Sequence, residues 1–114
     1  MSLKSIDPTQ THAWKKLQTH FEAVKDAHMS SWFINNPGRV SEMSIEWDDF
    51  FIDYSKNRIT AETLSLLNEL AEEVQLSDAI SQYFEGEKIN KTEGRAVLHT
   101  ALRAPKDCEV LFGG

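Results

Sequence analysis

Three side chains near the carboxyl end of the chain have the types and spacing of an anion-binding row: Arg95, His99 and Arg103. Glu93 would lie in the first turn of the predicted helix that carries them. Arg95 and His99 are four residues apart, so a helix would place both on one face, and Arg103 would continue that row. Two guanidinium groups and an imidazole could bind a phosphate or a partner's carboxylate. The same groups could instead pin the helix to carboxylates of a larger protein, and we favour that structural role. Arg95 and His99 are therefore candidates for substrate binding, and no residue is assigned to catalysis.

The other histidines and the cysteine lack the spacing of a metal or nucleophile site. His12, His20 and His28 recur every eight residues, so each lies about 80° further around a helix than the one before. Zinc ligands on a helix favour positions four apart. Cys108 is the single cysteine, and no neighbouring histidine or helix start is present to activate its thiol. We predict no metal site and no cysteine nucleophile.

Three aspartates raise the hypothesis of a carboxylate pair for acid–base chemistry. Asp48 and Asp49 are adjacent, so they would point apart in a strand or share a solvated turn, and we favour the turn. Asp53 lies between two apolar residues, and its expected role is a structural salt bridge with Lys56 or Arg58.

Composition narrows the class of partner. The chain has 114 residues and a net charge of -6, which disfavours nucleic acid because phosphate backbones need a basic face. No apolar run approaches the roughly 20 residues of a membrane span, and the amino terminus has no apolar signal region. With a single cysteine, we expect a reducing, cytoplasmic location and no membrane partner.

Apolar residues at helical spacing predict about four to five helices. Thr60 is a predicted helix cap, Gly86 a predicted helix stop, and Asn90 with Glu93 has the spacing of a capping box. Pro105 prevents any helix from continuing past it. The predicted helices are residues 11–29, 30–35, 60–74, 77–85 and 91–103.

Between the second and third of these helices the period changes to two, which predicts a β-hairpin turning at Asp48-Asp49. The alternating apolar positions are Met43, Ile45, Trp47, Phe50, Ile52 and Tyr54. The predicted fold class is therefore α+β and mostly helical, with four to five helices and one hairpin. We divide the chain into a segment at 1–105 and a tail at 106–114. The tail is either a native strand or the remnant of a protease site or cloning step.

Two stretches of the chain resemble glucose-6-phosphate isomerases. One is Asp53-Tyr54-Ser55-Lys56-Asn57-Arg58-Ile59-Thr60, and the other runs from Gly86 through Arg103. Shorter similarities occur in the right order: Trp14, the turn Asn36-Pro37-Gly38-Arg39 and the hairpin residues Glu46-Trp47-Asp48-Asp49. The resemblance therefore covers about residues 10–104. Two long matches in order are far more specific than a short motif.

The resemblance implies an enzyme that interconverts glucose 6-phosphate and fructose 6-phosphate in glycolysis and gluconeogenesis, without a metal or organic cofactor. In the family, a glutamate transfers a proton between C1 and C2 through an enediol. Histidine and lysine assist ring opening, an arginine stabilises charge and a Ser/Thr-rich loop binds the phosphate. The family enzyme is a homodimer, and its α/β core contains sugar-isomerase-type (SIS) sheets.

Family members are several times longer than this chain, and their catalytic groups lie beyond the matching region, so none can be assigned to a residue here. We expect an amino-terminal fragment that is inactive alone. The alternative is a non-enzymatic folding or protein-interaction module. Its apolar stripes would then contact a partner; they are Trp14, Leu17 and Phe21, and Leu64, Leu67 and Ala71.

Overall fold

The computed structural model describes residues 3–111, which form several helices and one β-hairpin. The elements in chain order are α1 (His12–Val24), α2 (Met29–Asn35), α3 (Arg39–Glu42), β1 (Ser44–Trp47), β2 (Phe50–Asp53), α4 (Ala61–Glu73) and α5 (Leu76–Phe84). Short 3-10 helices occur at Pro8–Gln10 and His99–Arg103. The predicted mostly helical α+β class is confirmed. Across residues 3–111, every helix is too short or too polar to cross a membrane.

Helices α1 and α4 are the longest and pack against each other in antiparallel orientation. Early residues of α1 meet late residues of α4: the Lys16 ammonium lies 2.6 Å from the Glu69 carboxylate. Thr11 begins α1 by accepting the Trp14 N–H. Thr60 begins α4 as predicted, through a capping box in which its partner is Thr63. Local caps and one long interface therefore define this helix pair.

The predicted helix over 11–29 is too long at its carboxyl end, whereas the predicted helix over 30–35 is present as α2. Helix α1 ends at Val24, and α2 begins only at Met29. The carbonyls of Lys25 and Ala27, which lie in this break, accept hydrogen bonds from Arg58. This long-range contact stabilises a chain reversal that the helical periodicity alone does not predict. The short helix α3, which follows the Asn36-Pro37-Gly38 turn, was not predicted either.

The β-hairpin is present with the predicted turn. Strands β1 and β2 are antiparallel, and Asp48-Asp49 joins them. Asp48 has φ +48°, a left-handed conformation that aspartate tolerates better than most residues. The register pairs Ser44 with Asp53, Ile45 with Ile52, Glu46 with Phe51, and Trp47 with Phe50.

Helix α5 ends as the sequence predicts. Gly86 has φ +76°, the conformation that glycine adopts at little steric cost. The Glu87 N–H donates to the Gln82 carbonyl and the Gly86 N–H to the Tyr83 carbonyl, which is the bonding pattern of a Schellman motif.

The predicted helix over 91–103 is wrong. Asn90 and Arg95 instead exchange two backbone hydrogen bonds of 3.1 and 3.2 Å, which close a turn over residues 91–94. Gly94 has φ +65°, which a helix does not permit. The Asn90 side chain accepts the Glu93 N–H, as it would in a capping box, but here the bond closes the turn. Only a short 3-10 helix forms afterwards, and Ala104 is extended ahead of Pro105.

The tail predicted at 106–114 begins with a turn at residues 106–107 and continues as irregular chain to residue 111. Residues 112–114 lie outside the described residues, so the two interpretations of the tail stay predictions.

The chain is flat, and it exposes more surface than a compact domain of its length. Its extents are 53 × 39 × 18 Å, and its radius of gyration is 18.8 Å, against about 13 Å for a compact domain. Its accessible surface is 9169 Å², whereas a compact monomer of this mass exposes about 6,300 Å². Among the described residues, Ala13, Met43 and Leu66 are the buried apolar side chains. This core is small for so many helices.

Candidate functional site

The proposed row of Arg95, His99 and Arg103 does not lie on one helix. Arg95 belongs to the 91–94 turn, where its guanidinium contacts the Glu93 carboxylate at 2.5 Å. Both side chains are mostly exposed, at 71% and 52%. Because an exposed ion pair contributes little to stability, this contact organises the turn locally. The Arg95 charge is therefore partnered within its own turn.

His99 and Arg103 lie in the 3-10 helix and are both exposed. A 3-10 helix has three residues per turn, so positions four apart point about 120° from each other. Arg103 lines a surface groove of about 660 Å³, together with apolar residues and the carboxylates of Glu85 and Glu109. One guanidinium beside two carboxylates does not make a phosphate site. The structure therefore separates both candidates, Arg95 and His99, from Arg103.

The three evenly spaced histidines do not lie on one helix, because His28 lies beyond α1 and directly precedes α2. His12, His28 and His99 are exposed, whereas His20 is buried. Within the described chain, residues 3–111, no three His, Cys, Asp or Glu side chains are grouped to hold a metal ion. Cys108 is exposed and free.

Asp53 does not form the expected salt bridge with Lys56 or Arg58. Its carboxylate accepts the Ser55 N–H at 2.9 Å. The Ser55 side chain lowers the pKa of Asp53 most, the Ser55 N–H lowers it further, and the Lys56 charge adds to this effect. Only the N–H makes a hydrogen bond of ordinary geometry, because the Ser55 hydroxyl is buried without a partner among the described residues. Asp53 thus begins the loop that leaves the hairpin.

Sequence reasoning missed the most extensively bonded charged group, Arg39. Its side chain is 4% exposed, and its guanidinium donates to three carbonyl oxygens: Ser55 at 2.8 Å, Ile59 at 2.9 Å and Asn57 at 3.0 Å. The guanidinium also lies 5.1 Å from the ring centroid of Trp32 and 5.3 Å from that of Phe33. Both distances are within the range of cation–π attraction. Arg39 therefore holds loop 54–60 against α2 without a carboxylate partner.

Arg58 provides a second connection from the same loop. Its guanidinium donates to the carbonyls of Lys25 at 2.7 Å and Ala27 at 3.0 Å. These carbonyls lie just beyond α1, where a positive charge favours the negative end of the helix dipole. Loop 54–60 is thereby tied to α1 by Arg58 and to α2 by Arg39. No sequence motif predicts either contact, because the acceptors are backbone carbonyls.

His20 connects α1 to the first turn of α4. Its Nε2 lies 2.6 Å from Thr63 Oγ1, and its Nδ1 lies 3.5 Å from the Glu62 carboxylate. Thr63 Oγ1 also accepts the Thr60 N–H at 2.9 Å. A neutral imidazole with its proton on Nδ1 satisfies both contacts, because Nε2 then accepts the Thr63 hydroxyl proton. His20 therefore has a structural role.

Glu73 caps the opposite end of this helix pair. Its carboxylate accepts the His12 N–H at 3.0 Å and the Ala13 N–H at 2.7 Å. Two free amide groups at the start of α1 are satisfied in this way, and the negative charge lies at the positive end of the helix dipole. A residue 60 positions away thus completes a cap that local sequence cannot supply.

Several of the polar side chains described above form hydrogen bonds between segments that are distant in sequence. Four of these side chains bond to an element distant in sequence: Arg39, Arg58, His20 and Glu73. Within residues 3–111, the Thr63 hydroxyl that contacts the His20 imidazole belongs to the capping box of α4. Each described cavity is lined by at most one Lys or Arg. The described residues also leave many large apolar side chains exposed.

Comparison with known proteins identifies the family. The phosphoglucose isomerase family matches residues 53–114, more than half of the chain. The chain belongs to this family. It is 54% identical over 108 residues to the glucose-6-phosphate isomerase of Christiangramia forsetii. This alignment covers 95% of the chain and 20% of that protein. It is 48% identical over 112 residues to the glucose-6-phosphate isomerase of Desulforapulum autotrophicum, with 98% and 20% covered. The chain spans about a fifth of the length of these relatives.

Proposed function

We propose that this chain is the amino-terminal part of a glucose-6-phosphate isomerase, an enzyme that interconverts glucose 6-phosphate and fructose 6-phosphate in glycolysis and gluconeogenesis. Identities of 54% and 48% to two proteins of that name carry the proposal. The family resemblance extends it: the enzyme acts in the cytoplasm as a homodimer, without a metal or organic cofactor. It binds the two sugar phosphates and neither nucleic acid nor membrane.

Within this enzyme, the segment serves as framework and supplies no catalytic group. Its buried polar side chains, Arg39 and His20, bond to other parts of the segment. Its candidate binding residues, Arg95 and His99, are exposed and lie on separate local structures. The segment alone is accordingly inactive, and the aldose–ketose chemistry belongs to the remainder of the enzyme.

A chimera tests this proposal. The 114-residue chain replaces the matching fifth of the Christiangramia forsetii enzyme, and activity is measured from fructose 6-phosphate. Glucose-6-phosphate dehydrogenase then reduces NADP in proportion to the product. We expect the chimera to retain activity within about tenfold of the parent and the isolated segment to show no turnover. A folded but inactive chimera, or turnover by the isolated segment, would contradict the proposal.

Variants of the chimera test whether Arg95 and His99 contact substrate. Losing a charge-assisted hydrogen bond to a phosphate costs about 1.5–3 kcal/mol, which is roughly 10- to 100-fold in kcat/KM. As framework residues, Arg95→Ala and His99→Ala should instead change kcat/KM less than threefold. Lys106→Ala, an exposed cationic control nearby, sets the background of such changes.

The exposed apolar surface favours a second candidate function, a non-enzymatic folding or interaction module. Phe21 is 60% exposed and Leu67 43% exposed on the two predicted stripes. Surface of this kind favours association. Light scattering of the isolated segment over a hundredfold range of concentration tests this function. A compact monomer throughout the range would exclude it, whereas association would be compatible with either function.

A further inference from the structure

The β-hairpin has two chemically different faces. Side chains alternate across a strand, and directly paired residues share a face. The register therefore places Ile45, Trp47, Phe50 and Ile52 together on one side, which we call the apolar face. The other side bears Ser44, Glu46, Phe51 and Asp53. Trp47 and Phe50 stack with ring centroids 5.6 Å apart, which rigidifies the apolar face.

The apolar face is exposed although its composition is that of a core. The exposed fractions are 52% for Ile45 and Ile52, 62% for Phe50 and 67% for Trp47. In the part of the chain that the structure describes, the main packing partner of each strand is the other strand. An isolated two-stranded hairpin is marginally stable in water and needs a further layer. The hairpin therefore requires a cover that residues 3–111 do not provide.

The amount of exposed surface indicates what kind of cover is missing. The chain exposes 9169 Å², about 2,800 Å² more than a compact monomer of its mass. A standard interface between two proteins buries only about 800 Å² per partner. The excess is thus several such interfaces, which is typical of a segment embedded in a larger core. The relatives, of which the chain spans 20%, supply a polypeptide of sufficient length.

Charge disfavours a second copy of the hairpin as the cover. Glu46, Asp48 and Asp49 surround the tip, next to Trp47 and Phe50. Two hairpins packed in parallel through their apolar faces would bring the Asp48 and Asp49 carboxylates of both tips close together, and like charges at an interface oppose association. A complementary cover would instead be an apolar surface with Lys or Arg at its edge.

We propose that the apolar face is an intramolecular docking surface, covered by a later part of the same polypeptide within the assembled enzyme. The covering surface is apolar with a basic rim beside the hairpin tip. This inference rests on the proposed function, since it requires that the segment belong to a longer isomerase chain.

Photo-crosslinking in the active chimera tests the inference. p-Benzoylphenylalanine replaces Phe50 on the apolar face or, as a matched control, Phe51 on the opposite face. After irradiation, we expect the variant at position 50 to yield a product of monomer mass. Its cross-linked peptide should map beyond the segment, with a yield at least fivefold higher than at position 51. A dimer-sized product would assign the cover to the other subunit, and equal yields would show an uncovered face. Either result would overturn the inference.

Charge substitution provides a second measurement that does not depend on the probe. Phe50→Lys should lower the thermal midpoint of the chimera by about 2 °C or more, because it places a charge under the cover. Phe51→Lys should leave the midpoint within about 1 °C. Equal shifts for both variants would contradict an apolar cover on one face. The activity of the chimera without these substitutions tests the proposed function. Failure of the proposed function can therefore be distinguished from failure of this inference.

Discussion

The two stretches that most resemble the isomerase family are held in opposite ways. The first, residues 53–60, is connected to distant elements, because Arg39 donates to three of its carbonyls and Arg58 donates to two carbonyls beyond α1. The second, residues 86–103, bonds mostly to itself. Among the described residues, its one hydrogen bond to a distant part of the chain runs from Lys91 to the Leu3 carbonyl.

The difference shows that family resemblance alone does not indicate how a stretch is stabilised. Loop 54–60 is fixed by the buried Arg39 and the exposed Arg58, so its conformation depends on contacts with residues far away in sequence. The turn at 91–94 depends on its own residues, Asn90, Gly94 and the ion pair of Glu93 with Arg95. Substitutions should therefore have large effects in the first stretch and small, local effects in the second.

Substitution of Arg39 should have the largest effect. Arg39→Met keeps much of the apolar stem but leaves three carbonyl acceptors without their donor. Of these acceptors, Ser55 is buried, and the Asn57 carbonyl keeps the Ile59 N–H as a donor. An unsatisfied buried polar group costs about 1–3 kcal/mol, so we expect the free energy of unfolding to fall by about 2 kcal/mol. Urea denaturation followed by circular dichroism measures it.

Arg95→Met is the matched control for this substitution. Arg95 is 71% exposed, and exposed substitutions usually change the free energy of unfolding by less than about 0.5 kcal/mol. If both arginine variants lowered the free energy of unfolding equally, the proposed difference between the two stretches would be contradicted.

The next largest effect should come from Glu73, which tests the long-range cap of α1. Glu73→Gln removes the charge and directs an amide N–H group at one of the two N–H donors of His12 and Ala13. Losing a helix cap costs about 0.5–2 kcal/mol, and we expect about 1 kcal/mol by urea denaturation. Glu72→Gln, at the exposed neighbouring position, should cost almost nothing. If both variants behave alike, the carboxylate does not cap α1.

Features that depend on neighbouring residues were predictable from the sequence. The hairpin followed from period-two alternation around Asp48-Asp49, and the start of α4 followed from Thr60. The end of α5 followed from Gly86, whose positive φ the sequence indicates directly. In each case one local signal determines one local conformation.

Features that depend on distant or ambiguous partners were not predictable. Arg39 and Arg58 bind backbone carbonyls, and any residue supplies those, so no spacing pattern reveals the contacts. Asn90 with Glu93 fits a helix cap and also a closed turn, and the structure has the turn because Gly94 adopts a positive φ. Because this turn forms in place of the helix, Arg95 and His99 lie on separate local structures.

Gly94→Ala should have an effect whose sign distinguishes the turn from the predicted helix. In a helix, alanine would be favoured over glycine by about 1 kcal/mol. At φ +65° alanine is instead disfavoured by about 1 kcal/mol, although no atom lies within 4 Å of the added Cβ. We expect the Arg95 amide, which donates to Asn90, to exchange with solvent roughly fivefold faster. Nuclear magnetic resonance measures that exchange.

Gly94→Asn is the control, because asparagine tolerates the left-handed conformation better than alanine. Its Arg95 amide should exchange at a rate between those of the wild type and Gly94→Ala. If the Arg95 amide exchanged more slowly in Gly94→Ala than in the wild type, the result would contradict the turn and support the predicted helix over 91–103.

Asp53 should produce the smallest effect, and only in acid. Its pKa is lowered in the folded chain, chiefly by the Ser55 side chain and then by the Ser55 N–H. A lowered pKa means that the folded state favours the charged form. The stabilisation is therefore complete above the ordinary carboxyl pKa of about 3.9, and it is lost as the pH falls through the folded pKa. Asp53→Asn should lower the urea midpoint slightly at pH 7, and the difference should shrink as the pH falls below about 3.9.

Ser55→Ala distinguishes the two ways in which Ser55 lowers the pKa of Asp53, through its side chain and through its backbone N–H. The substitution removes the side-chain oxygen but keeps the N–H that Asp53 accepts at 2.9 Å. Because the Ser55 side chain is the largest cause of the lowered pKa, most of the acid dependence that Asp53→Asn removes should also be lost in Ser55→Ala. At neutral pH the variant should unfold at a slightly lower urea concentration than the wild type, because the charged Asp53 carboxylate loses the side-chain part of its stabilisation. If the acid dependence is unchanged in Ser55→Ala, the backbone N–H alone sets the charge of Asp53 at the start of loop 54–60.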